Sequence, residues 1–346
     1  MNPFRPIRPT VRCIVPPYLL ESIARNGSPA QRDRASRSLV LDVVHRTSRL
    51  TPARPAAAAA DSPQRTVSTA DDAETLPGRT VRAEGASATG DAAVDEAYDG
   101  LGSTYDFYLR AYDRRSLDDK GLPLPATVHY GSDYDNAFWN GERMVFGDGD
   151  GELFNRFTIA VDVIGHELTH GVTENTAALT YANQPGALNE SVSDVFGSLV
   201  KQHQLGQDAG DADWLIGAGL LTDAVHGVAL RSMKAPGTAY DDPVLGKDPQ
   251  PAHMRDFVTT TDDEGGVHIN SGIPNHAFYL VATALGGPAW EVAGRIWYDT
   301  LVSGDLAADA DFAAFAAATV QAAAARFGST EEQAVRTAWG AVGVTG

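Results

Sequence analysis

Val163-Ile164-Gly165-His166-Glu167-Leu168-Thr169-His170-Gly171 is the stretch from which the rest of this 346-residue chain is read. Two histidines four apart on a helix lie one above the other on the same face. Both imidazoles then reach a single ion, and His-Glu-x-x-His is a zinc pattern with a mechanism attached. Glu167 follows the first histidine too closely to be a third ligand; it is placed instead to take a proton from a water polarised by the ion. Alone, the five residues also fit a helix that carries two surface histidines, so the rest of the chain must decide.

A catalytic zinc site typically takes three protein ligands and keeps one position for water. Glu190, in Leu188-Asn189-Glu190-Ser191-Val192-Ser193-Asp194, lies twenty residues beyond His170. That gap suffices to end the first helix, turn, and lay a second alongside. Asp194 falls one helical turn after Glu190 and faces the same cluster, where it is suited to accept the second N–H of a ligand histidine.

Composition narrows the surroundings. Hydrophobic residues make up 43% of the chain and charged residues 21%, an ordinary globular balance. A net charge of -18 argues against nucleic acid or an anionic membrane as partner. No run approaches the ~18 apolar residues that a membrane span needs. The opening Met1-Asn2-Pro3-Phe4-Arg5-Pro6 lacks the apolar core of an ordinary secretory signal. Cys13 is the one cysteine, so no intrachain disulfide forms. It reads as a small inert hydrophobe, or as a thiolate reaching the metal from an inhibitory segment.

Along the chain, Arg12 to Leu20 is an extended, proline-stiffened segment, followed by helical stretches at Leu19–Arg25 and Pro29–Ser48. This arginine-rich unit is suited to dock on the acidic remainder, or it is a plain flexible arm. The Pro/Ala tract from Thr51 to Ala60 reads as an exposed, protease-accessible linker. Apolar residues at helical spacing predict a helix over Asp91–Tyr112 with Asp91 near its N-cap. Thr127–Tyr130 is a strand, and Asp135–Trp139 turns at Asn140-Gly141 into Arg143–Phe146 as a hairpin. Gly147-Asp148-Gly149-Asp150-Gly151 reads as a tight turn, since five residues lack the ligand count of an EF-hand loop. Helices follow at about 160–175, Leu188–His203, Asn275–Leu285, Ala289–Val302, Phe312–Phe327 and Thr330–Val342. The expected fold is α+β. A propeptide and linker (1–55) precede a strand-rich domain (56–160) and a helical domain (161–346), with the metal helix at the join. Clefts form at such joins.

The sequence around the motif resembles the thermolysin family of neutral metallopeptidases. The resemblance rests on Ala160-Val161-Asp162-Val163-Ile164-Gly165 before the motif and Gly171-Val172-Thr173 after it. It extends to Asn136-Ala137-Phe138-Trp139, Leu230-Arg231-Ser232-Met233 and Gly265-Gly266-Val267-His268-Ile269-Asn270-Ser271-Gly272, and covers residues 90–346. Pro16-Pro17-Tyr18-Leu19-Leu20 resembles the short propeptide of the protealysin-type branch. The resemblance implies a zinc endopeptidase made as a zymogen, with zinc on His166, His170 and Glu190 and with Asn189 and Asp194 supporting the ligands. It implies Glu167 as base and then acid, His268 and Tyr181 as donors to the oxyanion, and Asp263 orienting His268. Such donors are needed because charge develops on the scissile carbonyl. Asn136, Ala137 and Trp139 would line the edge strand along which a peptide pairs, and Arg231 would bond the carbonyl beyond the cut. Phe154, Phe157, Val163 and Leu230 would form an apolar pocket selecting a bulky hydrophobic residue just after the scissile bond.

The implied partners are peptide or protein substrates, the chain's own propeptide and a proteinaceous inhibitor, with the enzyme a monomer. The implied location is outside the cell by a non-classical route, the cytoplasm being the alternative. Lys201 stands where relatives with a double calcium site carry an acid, and Val228 and neutral residues stand at the smaller sites. Structural calcium is therefore not expected to bind tightly. The rival functions are a zinc aminopeptidase, for which no Gly-x-Met-Glu-Asn segment is present, and a non-catalytic binding module, which would lack Glu167, His268 or Tyr181.

Overall fold

The computed structural model describes residues 12–47 and 62–345, so the expected linker cleavage region lies outside the described residues. The first segment consists of β1 (Arg12–Cys13), α1 (Pro17–Asn26) and α2 (Pro29–Thr47). Pro17 opens α1 at its first position, where a missing N–H leaves no gap in the helix ladder. Leu19, Leu20 and Ile23 recur on one face and are buried with Ile14, Val15 and Ala35 in the main core.

The strand-rich part holds β2 (Arg65–Thr69), β3 (Arg79–Ala83), α3 (Ala92–Tyr112), β4 (Leu124–Val128), β5 (Ala137–Trp139) and β6 (Met144–Phe146). Asp91 caps α3 by accepting the Val94 N–H, as its position predicts. The six strands form one mixed sheet in the order β1-β5-β6-β4-β2-β3. The Asn140-Gly141 hairpin is present, with Trp139 opposite Met144. Beyond it, β1 adds antiparallel to β5, with Cys13 opposite Phe138.

The strand expected at Thr127–Tyr130 instead runs from Leu124 to Val128, parallel to both β2 and β6. It stops because His129 adopts a left-handed φ of +52°, which breaks the pleat. The imidazole is held there between Asp148 at 2.7 Å and Asp91 at 3.1 Å.

The helical part begins with α4 (Val161–Glu174) and α5 (Asn183–Leu205). The latter starts five residues before Leu188, because Pro185 is tolerated in a first turn that shows no apolar period. Two short hairpins follow, β7 (Leu215–Ile216) with β8 (Arg231–Ser232) and β9 (Asp241–Asp242) with β10 (Gly246–Lys247). Then come α6 (Asp263–Asn270), α7 (Gly272–Leu285), α8 (Ala293–Val302), α9 (Phe312–Arg326) and α10 (Ser329–Ala341). Relative to the pattern, α7 begins three residues early, with Pro274 in its first turn, and α8 begins four residues late, beyond Pro288. The architecture is α+β, with the metal helix α4 between the sheet and the helices.

The backbones of α4 and α5 approach closely at two glycines. A Cβ on Gly197 would lie 2.4 Å from the Asp162 carbonyl oxygen and 3.0 Å from the His166 nitrogen, and one on Gly165 would lie 3.1 Å from the Gly197 Cα. Neither neighbour is a movable side-chain tip. Gly197→Ala is therefore expected to force the helices apart, with a net loss of on the order of 1–3 kcal/mol that outweighs the ~1 kcal/mol alanine gains in a helix. An unchanged thermal unfolding midpoint would show that the helices have room.

Candidate active site

The histidine face of α4 turns toward α5, and His166, His170 and Glu190 are all buried. One ligand atom from each lies within 4.8 Å of the others. His166 Nδ1 is 2.8 Å from Asp194 Oδ1, and His170 Nδ1 is 2.8 Å from Asn189 Oδ1 and 2.9 Å from Ser193 Oγ. A carboxylate and an amide oxygen only accept, so both Nδ1 atoms carry the ring protons and both Nε2 atoms present lone pairs. Those two Nε2 atoms face each other at 3.1 Å. Glu190 approaches them at 3.4 and 3.5 Å, and its buried Oε2 accepts no hydrogen bond. Two lone pairs and a carboxylate converging without a proton between them repel unless a cation sits among them. The N, N, O donor set with oriented Nδ1 partners fits zinc.

Asp194 has no solvent exposure and accepts from four donors. Besides His166, these are Arg231 Nε and Nη2, each at 2.8 Å, and Asn275 Nδ2 at 2.8 Å. Burial pushes its carboxyl pKa up, but Arg231 and then His166 hold it well below the usual carboxylate range. The guanidinium, itself buried, is raised above the ordinary arginine value by the same pairing against its own burial.

On the other side of the ligands, Glu167 is buried with Oε2 accepting the Trp139 N–H at 3.0 Å. Tyr181 donates to Glu190 Oε1 at 2.5 Å and lies 3.3 Å from His268 Nε2. Asp263 accepts the His268 backbone N–H at 2.9 Å and faces its Nδ1 at 2.6 Å. That double grip depends on four successive left-handed residues, Asp263 to Gly266, with φ of 51, 52, 89 and 77°. A side chain at Gly265 would also meet Asn183 Oδ1 at 2.4 Å. Burial lowers the His268 pKa, but Asp263 and Glu190 raise it more, so the net shift favours the imidazolium.

The N-terminal segment crosses this cleft in extended form. Ile14 N–H donates to the Ala137 carbonyl at 3.1 Å, and Arg231 Nη1 donates to the Ile14 carbonyl at 3.1 Å. Asn136 accepts the Val15 N–H at 3.0 Å and donates to its carbonyl at 3.2 Å. The Cys13 carbonyl oxygen is 3.2 Å from His268 Nε2. The Cys13 side chain packs instead with Tyr130, Tyr134, Phe138 and Val145, and it is not part of the metal cluster. The thiolate-ligand reading therefore fails, because successive side chains of a strand point to opposite faces. Phe154, Phe157, Val163 and Leu230 are buried in the core cluster that also contains Ile14 and Val15.

Sequence reasoning missed Ser193, Asn275 and Asp42. Ser193 carried a signal, since it lies three residues after Glu190 on the same helix face. Asn275 and Asp42 carried none. Asn275 reaches Asp194 from 81 positions away, and Asp42 reaches Asn136 Nδ2 (3.0 Å) from 94 positions away. Farther off, Lys201 Nζ lies 2.8 Å from Asp162 Oδ2, 2.9 Å from Asp213 Oδ1 and 2.7 Å from the Leu215 carbonyl. Burial lowers its pKa, yet the two aspartates raise it above the ordinary lysine value.

A two-part α+β fold with a His-x-x-x-His/Glu cluster at the join, and a leading segment across the cleft, defines a metallopeptidase zymogen. Residues 42–174 match the thermolysin metallopeptidase catalytic domain, residues 177–344 its alpha-helical domain, and residues 12–40 the protealysin propeptide. The chain belongs to the thermolysin family of zinc metallopeptidases and carries a protealysin-type propeptide. It is 57% identical over 335 residues to an extracellular metalloprotease of Pectobacterium carotovorum subsp. carotovorum, covering 96% of each chain. It is 51% identical to protease PrtS of Photorhabdus sp. (strain Az29), covering 96% of this chain and 91% of that one. The solved precursor of protealysin, a metalloproteinase from Serratia proteamaculans, superposes with a TM-score of 0.90 at 57% identity, over 96% of this chain and 100% of that one. The chain is a metalloendopeptidase with its propeptide attached, and neither the aminopeptidase nor the non-catalytic reading is favoured.

Proposed function

We propose that this chain is a latent endopeptidase whose residues 13–15 occupy the substrate path until the leading segment is cut away. The observation that carries the reading is the main-chain pairing of Cys13, Ile14 and Val15 with His268, Ala137, Arg231 and Asn136. Each of these contacts addresses backbone, which every peptide has, so a substrate can replace the segment.

In the mature site Glu167 takes the proton of the attacking water and passes it to the leaving amine, with the Trp139 N–H fixing its second oxygen. His268, oriented by Asp263, and Tyr181 donate to the oxygen of the former carbonyl as it gains charge. Asn136, Ala137 and Arg231 hold the residues after the cut. Zinc on His166, His170 and Glu190, with Asn189 and Asp194 behind them, supplies Lewis acidity and an acidified water. Phe154, Phe157, Val163 and Leu230 line the pocket for the first residue after the cut, so bulky hydrophobic residues are preferred there. One zinc suffices: Lys201 supplies as an ammonium the charge a structural calcium would bring between Asp162 and Asp213.

The propeptide and linker extend through residue 55, the strand-rich catalytic part through 160 and the helical part to 346, with maturation between residues 50 and 61. The mature enzyme acts as a monomer outside the cell, as the extracellular naming of its relatives supports, on peptides and proteins and under the control of a proteinaceous inhibitor.

Glu167→Ala is expected to keep its zinc and lose turnover, so that the full chain stays intact over time while wild type acquires a new N-terminus between residues 50 and 61. N-terminal sequencing, mass and metal content read all three, and a Glu167→Ala chain that matures alone would refute the role of Glu167. A library of blocked peptides is expected to be cut before Leu, Ile, Phe or Val; cleavage before Asp or Lys instead would remove the pocket assignment. Chelated enzyme is expected to recover fully with zinc alone, and an absolute need for added calcium would overturn the role given to Lys201.

A further inference from the structure

The leading segment is anchored outside the cleft by an ion pair at a built seat. Arg34, on α2, places Nη2 at 3.2 Å from Asp150 Oδ2 and 2.8 Å from Glu152 Oε2. The Asp150 side chain is 1% exposed, and its Oδ1 already accepts the N–H groups of Glu152, Leu153 and Phe154, so the carboxylate is rigidly aimed. A third carboxyl stands behind the pair. Asp135 is 1% exposed, takes the Asp150 N–H, and has a buried Oδ1 with no hydrogen bond. Asp135 is also the immediate neighbour of Asn136, whose side chain binds both polar groups of Val15. The seat is thus joined to the cleft through the Asp135-Asn136 backbone, on the Val15 side of the leading segment.

We propose that, once the leading segment is removed, the Asp135–Asp150–Glu152 seat becomes a cation subsite that takes the arginine or lysine side chain of a substrate, two to four residues after the scissile bond. This rests on the endopeptidase reading given above. Arg34 shows the chemistry that fits: a guanidinium sharing two carboxylates in a partly dry setting. With α2 in place, burial and then Asp150 hold the Asp135 carboxyl up at about 8, with Arg34 opposing. Departure of α2 takes the opposing Arg34 charge away and leaves its place beside the carboxyl groups open to another cation.

The test starts from the full chain, allowed to mature by itself. Blocked peptides with leucine just after the intended bond carry arginine at the second, third or fourth position after it. A matched set carries citrulline, which keeps the shape and removes the charge. Wild type is expected to show kcat/KM about fivefold higher for arginine than for citrulline at one of these positions at low salt, an ordinary size for a partly exposed pair. The ratio should fall toward one in about 0.5 M salt, in Glu152→Gln and in Asp135→Asn/Glu152→Gln. Because each ratio is taken within one protein, reduced folding or maturation of a variant does not affect it, and Glu152→Gln changes only a half-exposed side chain. A ratio of one at all three positions in wild type, or a preference that survives the double variant, overturns the subsite. If wild type cuts none of the leucine peptides, the endopeptidase reading fails instead.

Discussion

Asp194 is a carboxylate without solvent, and the catalytic centre depends on the four hydrogen bonds it accepts. One fixes the ring of His166, two fix the guanidinium of Arg231, and one ties in α7 through Asn275. A buried carboxylate is tolerated only when such partners compensate its lost hydration, and two of the three partners here have a second task. His166 faces the metal position. Arg231 also donates to the Ile14 carbonyl of the leading segment. His166 and the Arg231 grip on the leading segment therefore share one anchor, so displacement of either end is felt at the other. The same buried pair keeps both charges fixed, since Asp194 is held below and Arg231 above its ordinary range.

The second constraint is distance. Gly165 and Gly197 let α4 and α5 touch backbone to backbone. Glu190 comes within 3.5 Å of both histidine Nε2 atoms only because the helices are this close. On the opposite side, the left-handed run from Asp263 to Gly266 brings a carboxylate to both nitrogen donors of His268. One device depends on the absence of side chains and the other on backbone conformations that most residues resist.

These differences explain what the sequence made legible. His166, Glu167 and His170 share one helical period, and Glu190 and Asp194 share another, so local geometry alone suggested both sets. The hairpin at Asn140-Gly141 was equally local. His268, Tyr181 and Arg231 were reachable only through resemblance, because no spacing links them to the motif. Asp42 and Asn275 were not reachable at all: each enters the site through packing between elements more than 80 positions apart. The start of α5 was hidden for another reason. Asn183 to Gly186 shows no apolar period, and its Pro185 reads as a breaker until its place in a first turn is known. At His129 the alternation of a strand continued past the point where left-handed backbone ended it.

The pairing of β1 with β5 has a consequence for the chain before it ever meets a substrate. Without β1, β5 would be the outer strand of the sheet, and an outer strand offers its unpaired N–H and C=O groups to a counterpart in a neighbouring molecule. The Ala137-Phe138-Trp139 stretch of β5 carries neither the proline nor the charge that would blunt such an edge. Here the edge is covered from within the same chain, and it stays covered as long as the leading segment is attached. The segment that keeps the zymogen latent is thus also the one that leaves this edge no free side for a neighbour.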